Sequence, residues 1–595
     1  MTNPSPPQSS YFKSSLRFLS DYFFNSNDKW KAWALFWGCA LSTLAMIGLS
    51  FALGWWCFPS IYAAFIVKDT ALLLVGLGSG LLISSAMAGF NYLANFLKNK
   101  LYVNWRAWLT KKIINQYLNN KTNYLDISRI YNDIDNPEQR IQEDIDKVVE
   151  SFLGLFLGFI DNFSNFVIYT ILLSLAGGSL SFMLFGATIV IPGFLVFVAL
   201  GVGIVTSLIG YYINRSLRES TNEETIAQSN LRADLQHIKM FSEEIAMEHA
   251  ENYYQTRLEK EVDELNIKTT RRLSLQNETA SFNLFNGALQ AIIPFIAAAP
   301  LYFTDLITLD VFYSAGYYFS MMTRSLNWFI NSFEMINKFQ TSLGRIVTLQ
   351  QALDKNNERE STKKIIRIIE HQDKNLVVKN LDLNLHGSND LVIKGLNLQF
   401  TPGVHTLIQA PSGSGKSSLF KAIAGSWLSG EGEIIIPKSL EAVYFLPQKP
   451  TLPNDTLRKV LAYPDADCSY SDNELILALK AVNMEVLADK LDKQIGGFKS
   501  LGEQQRIAFA RIFLRKPDWI FLDEATASLD EHVEEQVYCR LKKLLPNTTI
   551  ISIAHRSTVR CHHDHVLFFN VNDKKEVQVE EESELLVNRN TVPSF

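Results

Sequence analysis

The sequence predicts two fold classes in series: an α-helical polytopic membrane domain with six transmembrane helices, then an α/β P-loop NTPase domain. Three observations carry that reading. Apolar stretches of about 20 residues or more recur six times before residue 336. A strand, a Gly-rich loop and a helix start follow one another from Leu407 to Ser418. A second apolar strand, Trp519-Ile520-Phe521-Leu522, ends in the carboxylate pair Asp523-Glu524. The bulk figures fit such a mixture: 595 residues, 47% hydrophobic, 20% charged, formal net charge −5, mean hydropathy +0.03. The length exceeds one ordinary domain, and the composition argues against disorder. A near-neutral balance gives no electrostatic case for a nucleic-acid partner.

The boundaries expected from these signals are a lead-in at 1–30, a membrane domain at 31–350, a linker at 351–375, an ATPase domain at 376–580 and a tail at 581–595. The lead-in is Pro/Ser-rich and then mixed polar and aromatic, unlike a signal peptide. It reads as cytosolic, with an interfacial helix around Tyr22-Phe23-Phe24. The spans are expected at 32–58, 71–97, 152–175, 183–213, 281–303 and 311–335. The fourth contains Pro192, which leaves its start open.

Orientation follows the basic residues. Nine Lys and Arg fall within 98–150 and nine more within 214–280, whereas the short connectors on the other side hold Lys68 and little else. The positive-inside rule therefore makes both long loops, both termini and the ATPase domain cytosolic. Both loops keep helical apolar periodicity, so the spans should continue as helices into the cytosol. Between them, Asp135-Asn136-Pro137-Glu138 has the composition of a helix start.

The ATPase motif is Ala410-Pro411-Ser412-Gly413-Ser414-Gly415-Lys416-Ser417-Ser418. Glycines let backbone N–H groups approach phosphate oxygens, and the helix N-terminus adds positive potential. Lys416 suits the β- and γ-phosphates, and Ser417 suits Mg²⁺. Ala410 stands where the pattern has its first Gly. Asp523 at the end of the apolar strand suits the Mg²⁺ shell, and Glu524 suits a general base acting on water. Ile550-Ile551-Ser552-Ile553-Ala554 is a further buried-type strand, and His555 after it suits a γ-phosphate contact.

These residues resemble an ABC-transporter ATPase domain over about 376–569. Phe445-Leu446-Pro447-Gln448 resembles the Q-loop, Ser500-Leu501-Gly502-Glu503-Gln504-Gln505-Arg506 the signature, and Ala527-Ser528-Leu529-Asp530 the D-loop. The chain is similar to the SbmA/BacA-like and subfamily D (peroxisomal-type) fused half-transporters. Tyr463-Pro464, Trp105-Arg106-Ala107-Trp108, the 135–145 segment, Glu243-Glu244-Ile245-Ala246 and Ala299-Pro300-Leu301-Tyr302-Phe303 carry that likeness. The resemblance implies an exporter-like membrane fold, with ATP and Mg²⁺ as cofactors. It also implies ATP sandwiched between the P-loop of one domain and Ser500, Leu501, Gly502, Glu503 and Asp530 of another. Gln448 then joins Ser417 and Asp523 at Mg²⁺, with catalysis resting on Glu524, His555 and Gln448. One P-loop and one signature imply two chains, a homodimer or a pair with a related half-transporter. Coupling helices are implied at the loop tips, near 128–138 and 222–234.

Polar residues inside spans mark a candidate pathway. They are Asp161 and Asn165 in span three, Asn283, Asn286 and Gln290 in span five, and Arg324, Asn327 and Asn331 in span six, which also carries Glu334. Asp161 and Arg324 reach comparable depth and are expected to pair in a wet cavity; the alternative is that these groups join helices to one another. A wet pathway implies a cargo with polar or amphipathic character, such as a peptide, a cobalamin-like solute or an acyl conjugate. The competing functional readings are a fatty acyl or lipid transporter, and an ATP-regulated receptor or gate with vestigial hydrolysis. Ala410, Lys499 before the signature Ser, and the lack of an adenine-stacking aromatic near Leu385 favour the latter; intact Lys416, Asp523, Glu524 and His555 oppose it. The expected site is a bacterial inner membrane, with a peroxisomal or lysosomal membrane as the alternative. The five cysteines form no C-x-x-C pair, and His562, His563 and His565 read as structural rather than metal-binding.

Overall fold

The computed structural model describes residues 8–119, 123–130, 134, 136–176, 179–184, 187–360, 365–370, 375–385, 390–411, 413–427, 429–437, 443–465, 470–494, 500–572 and 577–581. Its Cα packing divides the chain into two units. One joins Met1–Asn115 with Asn136–Gln350, and the other joins Gln116–Asp135 with Gln351–Phe595.

The first unit is built of helices. A lead-in helix, α1 (Gln8–Asn25), precedes α2 (Lys29–Ala52), which runs through a π-helical turn at Leu53–Cys57 into α3 (Phe58–Val67). The long helices α4 (Thr70–Asn119), α7 (Ile145–Ala176), α8 (Phe194–Met240) and α10 (Glu251–Phe303) follow, with α11 (Leu309–Asn331) and α12 (Phe333–Glu360) closing the unit. Shorter pieces intervene at α6 (Pro137–Gln139) and α9 (Ser242–Met247). Among the described residues, five helices are long and apolar enough to cross a membrane. The sixth expected span is α11, which packs against α7, α8 and α10. At about 1.5 Å per residue, α4, α8 and α10 each run about 70–80 Å, more than twice a hydrocarbon core, as the apolar periodicity of the loops predicted.

Two boundaries differ from expectation. The fourth span starts at Phe194, because an antiparallel hairpin of β1 (Ser179–Leu184) and β2 (Ala187–Pro192) occupies the segment assigned to its first turns. Pro192 cannot continue a helix backwards, and Gly193 turns the chain at φ +65°. The tip of the second long loop lies at α9, not at 222–234, which is inside α8. No Pro interrupts α8, and Arg257–Asp234 and Arg272–Glu224 ion pairs zip its C-terminal part to α10. The helix start at 136–137 has Pro at its first position, but Asn136 caps it from a left-handed conformation without a side-chain bond.

Aromatic packing fixes the lead-in. Tyr22 stacks on Trp105 of α4 at 6.0 Å, Phe23 meets the same ring edge-on at 5.1 Å, and Asp21 pairs with Lys112. The helix is therefore anchored on α4, with only Phe24 of the three expected interfacial aromatics exposed. Burying two such rings is worth about 1.5–3 kcal/mol each. A second cluster joins α7, α8, α10 and α11 through Tyr169, Leu172, Leu195, Ala298, Tyr318 and Phe319.

The second unit takes in α5 (Asn123–Ile130) and, later in the chain, β3 (Ile365–Glu370), a strand within the segment expected as linker, which pairs with β7 (Gly430–Pro437). With β4 (Leu376–Asn384) and β5 (Leu391–Phe400) these make a four-stranded sheet ordered β3-β7-β4-β5. A six-stranded sheet holds β6 (Thr406–Gln409), β8 (Val443–Leu446), β9 (Trp519–Asp523), β10 (Thr549–Ile553), β11 (His565–Val571) and β12 (Val577–Glu581), ordered β12-β11-β6-β10-β9-β8. All its pairs are parallel except β11–β12. Five helices, α13 (Lys416–Ala424), α14 (Leu457–Ala462), α15 (Asp472–Ala481), α16 (Leu501–Arg515) and α17 (Glu531–Leu544), complete the unit. Strand β9 shows why its sequence is apolar throughout: Ile520 and Leu522 enter one core while Trp519 and Phe521 enter the other.

Two of the histidines after β10, His562 and His563, pack against Tyr538 of this core. The His562 ring stacks on Tyr538 at 5.1 Å and 5°. His563 Nδ1 faces Val559 O at 2.9 Å and its Nε2 faces Ser552 Oγ at 2.8 Å, while Tyr538 Oη lies 3.1 Å from the same hydroxyl. A neutral imidazole satisfies all three contacts, donating from Nδ1 and accepting at Nε2. Burial pushes the His563 pKa down from 6.5 to about 4. As pH falls below 6.5 the unfolded chain takes up this proton first, so stability is full above that value and drains away toward pH 4. Thermal unfolding of the full-length protein is expected to shift to lower temperature from pH 7 to pH 5, and His563→Gln should flatten that dependence; an equally steep profile in the variant would contradict it.

Candidate functional site

Parallel register collects the predicted site at one edge of the six-stranded sheet. Ile553 stands opposite both Ile408 and Asp523, and Leu446 stands opposite Leu522. The loops leaving these strands therefore carry Ala410, Gln448, Glu524 and His555 into one place, where open α/β sheets hold their ligands.

The loop after β6 builds the first wall. Gly415 caps α13 at φ +85°, and a Cβ there would lie 2.8 Å from Ile393, so both conformation and space demand glycine. Gly413 and Ser414 form the turn before it, and Ser417 and Ser418 open the helix. Ala410 has no positive φ, and its methyl packs against the sheet core. The departure from Gly at this position thus carries no backbone strain. Pro411 is exposed beside it, and Ser412 lies outside the described residues.

Charged groups then converge. Lys416 Nζ donates to Ala410 O at 2.5 Å and Pro411 O at 3.2 Å, and lies 3.2 Å from His555 Nε2. An ammonium can only donate, so His555 accepts at Nε2. Glu524 Oε1 is 3.5 Å from the same nitrogen, and Gln448 Nε2 donates to Glu524 Oε2 at 3.1 Å. Ser417 Oγ donates to Asp523 Oδ1 at 3.1 Å. Burial lowers the Lys416 pKa against the pull of Glu524 and Asp523, and burial raises that of Asp523. Asp523 is thus a half-buried carboxylate short of positive charge, beside the oxygen of Ser417. That donor set fits a hard cation.

Glu524 holds a left-handed backbone, φ +49°, with its N–H donating to Ile553 O at 3.0 Å. A non-glycine residue in that region is strained, and strain of this kind gathers at functional sites.

The signature and D-loop residues sit on the same unit. Ser500 caps α16, its Oγ accepting from Glu503 N at 3.2 Å, which leaves the hydroxyl proton free to donate. Leu501, Gly502 and Glu503 form the first turn, and Asp530 caps α17 by position with its side chain exposed. Sequence reasoning read Gln505 only as part of the signature and missed its role; the residue is 0% exposed. Its Nε2 donates to Gln448 O at 3.0 Å and its Oε1 accepts from Ser528 N at 3.2 Å, tying the Q-loop to the D-loop. The signal available was a lone glutamine on the apolar face of α16. Lys499 lies outside the described residues, as do 386–389 next to the exposed Leu385.

The membrane residues behave less uniformly. Asn327 Oδ1 accepts from Ser207 Oγ at 3.0 Å, joining α11 to α8. With Thr206, Asn283 and Asn286 it lines a cavity of about 30 Å³, which is one water's share of volume. Thr206 and Ser207 were not singled out in the sequence. Asp161 does not pair with Arg324: its Oδ1 accepts from Asn165 on its own helix at 3.0 Å. The i, i+4 spacing that suggested a shared polar face serves an intrahelical bond instead. Arg324 is exposed, turned from the α11 face that packs through Tyr318, Phe319 and Met322. Gln290 is half-buried, and Asn331 ends α11 with its side chain outside the described positions.

Comparison with known proteins gives the following likenesses. Residues 19–303 match the family described as ABC transporter transmembrane region 2, and residues 393–527 match the family described as ABC transporter. An uncharacterized ABC transporter ATP-binding protein of Haemophilus influenzae is 31% identical over 487 residues, 81% of this chain and 80% of that one. The human lysosomal cobalamin transporter ABCD4 is 25% identical over 532 residues, 82% of this chain and 83% of that one. The structure of a bacterial Atm1-family ABC exporter with ATP bound superposes with a TM-score of 0.70 at 17% identity, covering 96% of this chain and 100% of that one.

Gly502 supplies a direct test of this geometry, since a Cβ there would come within 2.9 Å of Ser528 O. Gly502→Ala should displace the D-loop and cut ATP turnover by about tenfold or more, while thermal stability stays close to native. Steady-state phosphate release at saturating ATP measures it.

Proposed function

The chain belongs to the ABC transporter family as a permease fused to its ATPase, and from that membership we propose how its residues divide the work. It is an integral membrane protein that couples ATP hydrolysis to transport. The observation that carries the residue assignment is the convergence of Lys416, Gln448, Glu524 and His555 at one sheet edge. Lys416 and the backbone N–H groups of Gly413 to Ser418 hold the β- and γ-phosphates. Glu524 accepts the proton of the attacking water, with Gln448 donating to its second oxygen to fix its direction. His555 then turns from Lys416 toward the γ-phosphate, where its Nε2–H tautomer donates to a phosphate oxygen. Ser417, Asp523 and Gln448 hold Mg²⁺, which when bound supplies positive charge to the phosphate oxygens.

The working unit is a homodimer. Each chain carries one P-loop and one signature, and Ser500 and Asp530 are exposed on the ATPase unit, as residues that serve a second copy's ATP must be. Nucleotide held between two copies brings the ATPase units together, and hydrolysis parts them. The short helix α5 is grouped by its packing with the ATPase unit, as a coupling helix near 128–138 requires.

The cargo is a solute with polar or charged parts, of the peptide, cobalamin-like or acyl-conjugate class. Support comes from Arg324, a cation exposed on a spanning helix: against lipid it is costly, whereas against a wet pathway it is not. The small α8–α10–α11 cavity is too tight for cargo, so Asn327 joins helices while Arg324 faces the pathway. The membrane is the bacterial inner membrane, a reading supported by the Haemophilus relative.

Two experiments test these assignments. Glu524→Gln should bind ATP and bring the ATPase units together with turnover reduced by about 100-fold or more; normal phosphate release in that variant would remove Glu524 from the role of base. Arg324→Gln should keep ATPase activity and change the transport of the reconstituted protein, and an unchanged cargo profile would place Arg324 outside the pathway.

A further inference from the structure

Arg556 directly follows His555, and its side chain does not turn toward the site. Its Nη1 donates to Leu529 O at 2.7 Å and its Nη2 donates to Ala527 O at 2.8 Å. One guanidinium thus occupies two carbonyls of the loop 527–530. On its other side, Nη1 lies 3.6 Å from Glu534 Oε2, and Glu534 is 1% exposed. Glu534 is itself fixed: its N–H donates to Asp530 O at 2.9 Å, and its Oε1 accepts from Thr558 Oγ1 at 2.6 Å.

We propose that Arg556 is a positioning residue that locks the switch histidine and the D-loop into a single unit, so that His555 cannot move toward phosphate without carrying Ala527 to Asp530 with it. Three features support this. First, the contact needs a planar fork: two carbonyls are met by two separate N–H groups of one rigid group, which a lysine's point charge cannot reproduce. Second, the partner is a buried carboxylate. If the place only needed filling, an apolar side chain of similar volume would serve as well or better, because desolvating Glu534 is costly. Its retention fits a need to hold the guanidinium in one orientation. Third, the loop is already gripped from the other side, by Gln505 at Ser528 N and by Gly502 against Ser528 O. With its remaining carbonyls bound to Arg556, the loop is held by the signature helix on one side and by the switch residue's neighbour on the other. Gln505 also reaches the Q-loop through Gln448 O. The Q-loop, signature helix, D-loop and switch therefore form one hydrogen-bonded circuit, and Arg556 is the link that closes it.

The consequence is specific to turnover. Arg556 grips the D-loop carbonyls and not the P-loop, whose Lys416 meets the circuit at His555 Nε2, so ATP affinity should depend little on Arg556, whereas the placement of His555 during hydrolysis should depend on it strongly. The proposal rests on the assignment of Glu524 and His555 to hydrolysis. The turnover of the native protein tests that assignment, and the ratio of variant to native turnover tests this one. In the full-length protein in nanodiscs, Arg556→Ala should lower kcat about tenfold or more with KM for ATP within about twofold, and Arg556→Lys should recover part of the loss. Glu534→Gln keeps the bond to Thr558 and removes the charge that orients Arg556. It should lower kcat in the same direction, and the Arg556→Lys/Glu534→Gln double variant should be less impaired than the product of the two single effects. If Arg556→Ala does not fold, the lysine and glutamine variants carry the same test. Unchanged kcat in Arg556→Lys and Glu534→Gln would overturn the proposal. So would a loss in which kcat, KM and melting temperature fall together and lysine does no better than alanine.

Discussion

The parallel pairing of β10 with both β6 and β9 is the constraint on which the ATPase half depends. Ile553 must stand opposite Ile408 and Asp523 at once. That register alone decides that a lysine from one loop, two carboxylates from a second and a histidine from a third share a space a few ångströms wide. A slip of one residue would turn each strand's core side chains to the wrong face. The cores on both faces of β9 forbid it, because Trp519 and Phe521 would exchange places with Ile520 and Leu522. Hydrophobic packing is thus what sets the geometry of the polar site, and the left-handed Glu524 is held where packing leaves it.

A different constraint rules the membrane half. Lipid offers no partner for a bare N–H or C=O, so each span is a continuous helix, and irregular backbone is tolerated only where another group answers it. The π-helical turn at Leu53–Cys57 is such a place: Gly54 O accepts from Tyr318 Oη at 2.8 Å. The same rule explains how the polar side chains sort. Asp161 is answered by Asn165 within its own helix, and Asn327 by Ser207 of the neighbouring one. Arg324 is exposed instead.

Much of this was legible in the sequence, and what was not has physical reasons. Span existence follows from apolar length, so five of the expected spans lie on helices long and apolar enough to cross a membrane and the sixth falls on α11, and the P-loop, carboxylate pair and histidine follow from local chemistry at strand ends. Boundaries fared worse. The 179–192 hairpin reads as an apolar run, because β-branched residues beside a proline carry no signal that separates a buried strand from the start of a span. The second loop tip was misplaced because the polar, periodic sequence of 222–234 continues a long helix zipped to its neighbour by ion pairs, and nothing local in it marks a turn. The Asp161–Arg324 pairing was inferred from depth, and depth does not fix the direction in which a side chain points. Gln505 and Arg556 were invisible for a further reason: their partners are main-chain groups 23 to 57 and 27 to 29 residues away, and no side-chain pattern reports those.

With one P-loop, one signature and one set of spans, the chain is half of a machine whose output is movement of a solute at the expense of ATP. Reconstitution in sealed vesicles with candidate peptides, cobalamins and acyl conjugates tests that claim most directly. The account predicts accumulation of a solute from at least one class that requires ATP and is lost in Lys416→Ala. Movement that proceeds equally without ATP, or that persists in that variant, would contradict it.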